Sequence, residues 1–320
     1  MKKVFFVPYT HLNEYVEINK SALLDAGYQV IPLNLKNAVC SLGKKRPIVV
    51  NWLEDRPYGS NFSPRVRFTT TIKCLFIAIF GALFCSRKIW IKHNFKPHNA
   101  TGTFRYYKLI TATLRRLNYR ELSLEKYAGG GLFHPLYLPD DTLQKQEIEL
   151  AGSEFEYLIF GAVKKYKGIH NILSIWPPGK KLSIFGKCNC QSYEKEILHI
   201  IEKRKLKVVW VNKYLTDEEL NQELSKANFV VISHLDNTMI SSGTFYHAVS
   251  FGCNIISSKS AFSTQKQNEH KFVHLISDNE NQFDEFEKNY VNKELVKNEA
   301  SKHYSRRCLS KRWQEILSNN

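Results

Sequence analysis

The 320-residue chain reads as an α/β protein of two domains, each a mostly parallel sheet covered by helices on both faces. Three observations predict this. Short apolar runs rich in β-branched and aromatic residues alternate with helix-length segments along both halves. The alternation halts at a polar stretch, 140–153, and then begins afresh. The length suits two cores of roughly 150 residues each. The expected division is 1–150 and 151–320, with a charged helical tail over 280–320 that could pack on either domain.

Element by element, 4–7 is a first buried strand and 15–26 a helix, with Gly27 suited to its C-terminal cap. Residues 29–32 and 47–53 are strands, 67–85 a long helix, 88–92 a strand and 104–117 a helix. Gly129-Gly130-Gly131 reads as a flexible break, and 134–139, with Pro135 and Pro139, as extended or turn. The second half restarts with a strand at 155–160, a short helix at 170–176 stopped by Pro177-Pro178-Gly179, and a strand at 181–185. A helix at 193–204 and strands at 207–211 and 228–232 follow. Thr216 with Glu219 forms a capping box before a helix. A helix over 242–249, ending near Gly252, precedes the strand 254–256.

Composition narrows the function. The hydrophobic fraction of 43% is that of an ordinary globular protein. The net charge of +16 asks for an acidic partner, such as phosphorylated small molecules or an anionic membrane surface. The charge is spread along the chain, and no zinc-finger or RNA-module motif appears, so nucleic acid is not expected. Seven cysteines, an odd number in mostly apolar settings, fit a reducing cytoplasm, and none stands at zinc-site spacing. The apolar run after Lys2-Lys3 ends at Pro8, too short for a signal peptide. The apolar segment 72–84 is about thirteen residues, short of the roughly twenty that span a bilayer. It reads first as a buried helix, and second, because Arg65, Arg67, Lys73, Arg87 and Lys88 flank it, as a helix lying in a membrane surface.

Open α/β sheets bind ligands beyond the carboxyl ends of their strands, and two such domains facing across a cleft would converge there. Gly161 follows the strand 155–160, and a glycine there lets backbone approach a ligand. Lys164, Lys165 and Lys167 offer charges for a diphosphate, Lys167 before Gly168 being the best placed. Ser241-Ser242-Gly243-Thr244 opens a helix whose free amides and hydroxyls suit an anion, although serine capping alone would also explain it. These groups can carry phosphate charge, so no metal and no cofactor is implied. In the first half, His11, Glu14, Glu54, Asp55 and His93 follow strands and are candidates to deprotonate an attacking hydroxyl. The ordinary reading of Glu54 and Asp55 is as surface carboxylates in salt bridges.

Taken together, Trp90-Ile91-Lys92-His93-Asn94 with Pro97-His98, His134-Pro135-Leu136-Tyr137, the segment 160–168 and Ser242-Gly243 through Gly252 resemble bacterial GT-B glycosyltransferases. The resemblance is to the group related to family 4 and to the xanthan glucuronosyltransferase, and spans about residues 1–265. It implies two Rossmann-like domains facing across a cleft. The N-terminal domain would take a lipid-linked or oligosaccharide acceptor of bacterial surface polysaccharide synthesis. The C-terminal domain would take a nucleotide sugar, UDP-linked by preference and GDP-linked as the alternative. Lys164 and Lys167 would hold the diphosphate, with Ser241, Ser242 and Gly243 opposite and His93 near the transferred sugar. A peripheral position on the inner face of the cytoplasmic membrane is also implied. Retaining family 4 enzymes carry glutamates where Met239 and His247 stand here, with ribose recognition passing to another group such as Asn237. A catalytically degenerate scaffold is the alternative that this departure suggests.

Overall fold

A computed structural model describes residues 1–59, 62–97, 104–145, 154–233, 240–276 and 282–318. His98, Asn237 and Met239 lie outside the described residues, as does most of the polar stretch before 154. The chain divides into two units.

The first unit takes Met1–Pro135. Its strands are β1 (Lys2–Val7), β2 (Tyr28–Ile31), β3 (Ile48–Asn51), β4 (Lys88–Lys92) and β5 (Arg120–Ser123), joined by α1 (Tyr15–Asp25), α2 (Leu35–Val39), α3 (Pro64–Phe84) and α4 (Arg105–Arg116). All pairings are parallel, in the order β2-β1-β3-β4-β5. The central strands β1 and β3 carry apolar runs because helices cover both faces. One face buries Phe5, Val50, Cys74, Ala78, Trp90, Ile110 and Leu114 under α3 and α4. The other buries Val4, Val49, Ile91 and Leu122 under α1. The three glycines 129–131 form a hydrogen-bonded turn, in which Ser123 donates its amide to Gly130 O at 2.7 Å.

The second unit takes Leu136–Ser305 apart from a short segment ending in Ile240 and Ser241, which belongs with the first. Its elements are α5 (Asp140–Lys145), β6 (Tyr157–Phe160), α6 (Ile169–Ile175), β7 (Leu182–Phe185), α7 (Gln191–Lys203), β8 (Val208–Val211), α8 (Asp217–Lys226), β9 (Phe229–Ile232), α9 (Gly243–Ser250), β10 (Asn254–Ser258), α10 (Ala261–Glu269), β11 (Val273–Ile276), α11 (Gln282–Lys288) and α12 (Lys293–Tyr304). The sheet is again parallel, ordered β11-β10-β9-β6-β7-β8. The Thr216–Glu219 capping box is formed in full.

The end of the tail, free in sequence to pack on either domain, packs on the first, and one expectation changes. The last helix, α13 (Arg306–Ser318), leaves the second unit and packs on α1 in the first. Leu309, Trp313, Ile316 and Leu317 enter that core, and Trp313 Nε1 donates to the buried Asn19 Oδ1 at 2.9 Å. Its stripe of apolar residues fills the face that α1 alone leaves open, so the first domain is completed by the chain's end. Helix α3 is not a buried helix. Only Thr71, Cys74, Ala78 and Gly81 are buried along its 21 residues; Leu75, Ile77 and Phe80 pack partly on the core, and Phe68, Ile72, Phe76, Ile79 and Leu83 are exposed.

Candidate functional site

Each sheet has one place where the chain reverses its direction of winding, and ligands of such sheets bind at that switch point. In the second unit the chain runs from β6 outward through β7 and β8, then returns to place β9 on the other side of β6. The loops after β6 and β9 therefore flank the switch point, and these loops carry Gly161 to Lys167 and Ser242 to Thr244.

The geometry is tight. Gly161 has φ +93°, a conformation that favours glycine, and its amide donates to Phe185 O at 3.0 Å. A Cβ at Gly186 would stand 2.0 Å from Gly161 O, so the ends of β6 and β7 touch through bare backbone. Lys167 lies at the end of a short 3-10 turn, Lys165–Lys167, closed by Gly168 at φ +65°. Ser233, just past β9, donates its hydroxyl to Lys167 O at 2.5 Å and ties the two flanking loops together. Burial, with the nearby Lys164 charge, pulls the Lys167 ammonium down to about 8. No carboxylate pairs with it among the described residues. Lys165 points away and pairs with Glu196 at 3.4 Å, while Lys164 is exposed.

Across the switch point, Ser242 is the residue before α9, and its side chain does not cap the helix. Its hydroxyl is buried without a hydrogen-bond partner. Simple serine capping is thereby ruled out as its role. Gly243 and Thr244 follow in the first turn, where amides lack partners within the helix. Ser241 was expected beside them, but its hydroxyl donates to the buried Glu125 Oε1 at 2.7 Å, in the first unit. His247, further along α9, meets Asn221 Oδ1 at 3.2 Å and stacks on Tyr137 at 4.5 Å.

The first unit repeats the topology, with its switch point between β1 and β3. Four of the five candidates there fall into two clusters, and the fifth, Glu14, is the residue that precedes α1. On one side Trp52 is sandwiched by His11, at 4.9 Å, and His93, at 4.0 Å. Trp52 holds φ +51°, a strained value for a non-glycine residue. His93 Nε2 meets Asn51 Oδ1 at 3.1 Å, and the Asn51 amide nitrogen donates to Val7 O. The imidazole thus donates through Nε2 and keeps Nδ1 as its acceptor. Burial, with His134 and His11 nearby, lowers its basicity well below the usual value and keeps the ring neutral.

On the other side Glu54 and Asp55 are not surface carboxylates. Glu54 is fully buried, and its Oε2 accepts from Trp90 Nε1 at 2.9 Å. Asp55 Oδ2 accepts from Asn94 Nδ2 at 2.6 Å. Glu54 Oε1 and Asp55 Oδ1 are both buried without partners. Burial raises both carboxyls, and the Asp55 charge raises Glu54 further. Glu54 is the more deeply buried of the two, so burial disfavours its charged form more strongly than that of Asp55. Among the described residues no group of three or more His, Cys, Asp or Glu side chains is arranged to hold a metal ion.

Solved structures share the fold along the whole chain. HepE of Anabaena, solved in complex with UDP-glucose, matches at a TM-score of 0.56 and 13% identity, over 99% of this chain and 99% of that one. AviGT4, a glycosyltransferase involved in avilamycin A biosynthesis, matches at 0.58 and 12%, over 99% of this chain and 98% of that one. The chain has the GT-B fold. The N-terminal domain of Candida albicans trehalose-6-phosphate phosphatase matches at 0.63 and 9% identity, over 99% of this chain and 97% of that one, so the GT-B likeness establishes architecture and not activity. No family model matches the sequence, and no curated protein matches it.

Within the GT-B frame, the residues missed by sequence reasoning are Asn51, Trp52 and Ser233. Asn51 and Ser233 are polar residues that end or follow apolar strand runs, a signal that was available. The left-handed Trp52 has no sequence signature.

Proposed function

We propose that the protein transfers a sugar from a nucleoside-diphosphate donor, UDP-linked by preference, to a hydroxyl of a lipid-linked or oligosaccharide acceptor. The observation that carries this is the pairing at the second switch point: a half-buried lysine with no carboxylate partner beside Gly161, and an unpartnered hydroxyl at the start of α9. A diphosphate satisfies both. It also meets amides at the start of α9, where the helix dipole favours negative charge. HepE, of the same fold, is solved with UDP-glucose, which supports uridine as the base.

In such a transfer the acceptor oxygen bonds to the anomeric carbon while the anomeric C–O bond to phosphate breaks. The electron pair leaves with the nucleoside diphosphate, and the hydroxyl proton goes to a base. Asp55 suits that role: one oxygen is fixed by Asn94, the other is unpartnered, and burial favours the neutral form of Glu54 beside it. Neutral His93 suits a hydrogen bond from a sugar hydroxyl to Nδ1. The seven cysteines are all free, which fits a cytoplasmic site of action in bacterial surface polysaccharide synthesis.

The test is a thermal-shift panel of UDP, GDP, CMP and ADP on the wild type and Lys167→Ala. A ligand that binds only the folded state raises the melting temperature. Stabilisation by UDP that disappears in the variant supports the reading. Indifference to all four nucleotides defeats it and moves weight to a degenerate scaffold.

A further inference from the structure

Helix α3 is built inside out. Its inward side carries Thr71, Cys74, Ala78 and Gly81. These small residues let it lie close on the first sheet, where Tyr119 Oη donates to Ala78 O at 2.9 Å. Its outward side carries Phe68, Ile72, Phe76, Ile79 and Leu83, spaced so that they share one stripe. Phe68 is 55% exposed, Phe76 68% and Leu83 69%. A contiguous exposed apolar stripe of this kind marks contact with a second apolar phase.

The charge around the stripe has one sign. Arg65 and Lys73 on α3, and Arg105, Lys108 and Arg116 on the adjoining α4, are exposed, and neither helix contains an acidic residue. We propose that this face docks on an anionic lipid bilayer, with the stripe entering the acyl boundary and the basic side chains meeting headgroup phosphates. Although α3 is long and apolar enough to cross a membrane, crossing would pull Cys74 and Ala78 out of the core they share with Phe5, Val50 and Trp90. A symmetric pairing of two copies through the stripe would bring the same basic residues face to face, at an electrostatic cost. The inference stands apart from the sugar-transfer reading, because none of these residues belongs to either switch-point site.

Co-sedimentation with vesicles tests it, using phosphatidylcholine alone and phosphatidylcholine mixed with phosphatidylglycerol. The wild type is expected to sediment with the anionic vesicles and to be released by salt. The double variant Phe76→Ser/Leu83→Ser, both positions being exposed, is expected to keep its melting temperature and lose partitioning by more than about tenfold. Three results would overturn the proposal: no sedimentation of the wild type, a dimer in light scattering that the double variant dissociates, or resistance of the membrane-bound protein to alkaline extraction. The UDP thermal shift is read on the same samples. Failure on vesicles with an intact UDP response defeats the docking face alone.

Discussion

Lys167 Nζ lies 3.1 Å from the point that a Cβ on Gly161 would occupy. The amine rests against bare backbone at the end of β6, where a side chain would displace it. Gly161→Ala combines that contact with an alanine held at φ +93°, which costs about 1–3 kcal/mol. The expected outcome is a folded protein with a lowered melting temperature and no thermal response to UDP. A variant that binds UDP as the wild type does would remove Gly161 from the site.

On the proposed reading, the lowered Lys167 ammonium makes nucleotide binding depend on pH. It is charged below about 8 and loses its proton as pH rises through that value, so UDP affinity should fall from pH 7 to pH 9. The Lys164 charge contributes to the lowering. Lys164→Ala should therefore move the falling limb to higher pH while weakening binding at pH 7. Calorimetric titration across this range checks both effects, and an unmoved limb would show that Lys164 does not act on Lys167.

The strands and most helices were legible because their apolar runs and breaks are local. Gly161, Lys167 and Ser242 were legible too, as residues that follow strands. Strand order was not, since it depends on which strands pair. The two switch points, which decide which strand-end loops share a site, therefore had to be seen. The fate of Ser241 depends on Glu125, far away in sequence. Glu54 and Asp55 look like solvent-facing carboxylates until the packing of Trp90 and Asn94 over them is known. The apolar composition of α3 was plain, but composition cannot say which side of a helix faces its sheet.

Asp55→Asn keeps the size of the side chain and can keep the Asn94 contact through its amide oxygen. It removes the proposed proton acceptor, so kcat for sugar transfer should fall by about 10²–10⁴-fold. UDP binding, proposed for the other unit, should be unchanged. If Asp55→Asn turns over normally and His93→Ala does not, the base is His93.

Glu54 links stability to pH. Unfolded, it ionises near the usual 4.5; folded, burial and Asp55 raise it well above that. Between these values the folded state holds a proton that the unfolded state has lost, so stability falls as pH rises through the window. Glu54→Gln ends this dependence, and its amide oxygen can still accept from Trp90 Nε1. Urea midpoints of the variant relative to wild type should improve from pH 5 to pH 8.5. An equal difference at both pH values would mean that Glu54 is ionised in the folded protein.

Gly81 decides how closely α3 can approach the sheet. A Cβ there would stand 2.0 Å from Tyr119 Oη and 3.1 Å from Ile48 Cγ2. Helix propensity alone favours alanine over glycine by about 1 kcal/mol in a helix interior. The collision works against that preference, because overpacking a core costs about 1–3 kcal/mol and Tyr119 Oη is held by Ala78 O at 2.9 Å. Gly81→Ala should therefore destabilise, although an exposed helix would be stabilised by the same change. Tyr119→Phe removes the struck oxygen and should cost about 1 kcal/mol alone, for the lost hydrogen bond. In the double variant the 2.0 Å collision is gone, leaving the ring Cζ at 3.0 Å and Ile48 Cγ2 at 3.1 Å to shift slightly, so its stability should exceed the sum of the single effects. Urea denaturation of the four proteins completes the cycle. Additive losses would show that the helix reaches the sheet without depending on the absent side chain at Gly81.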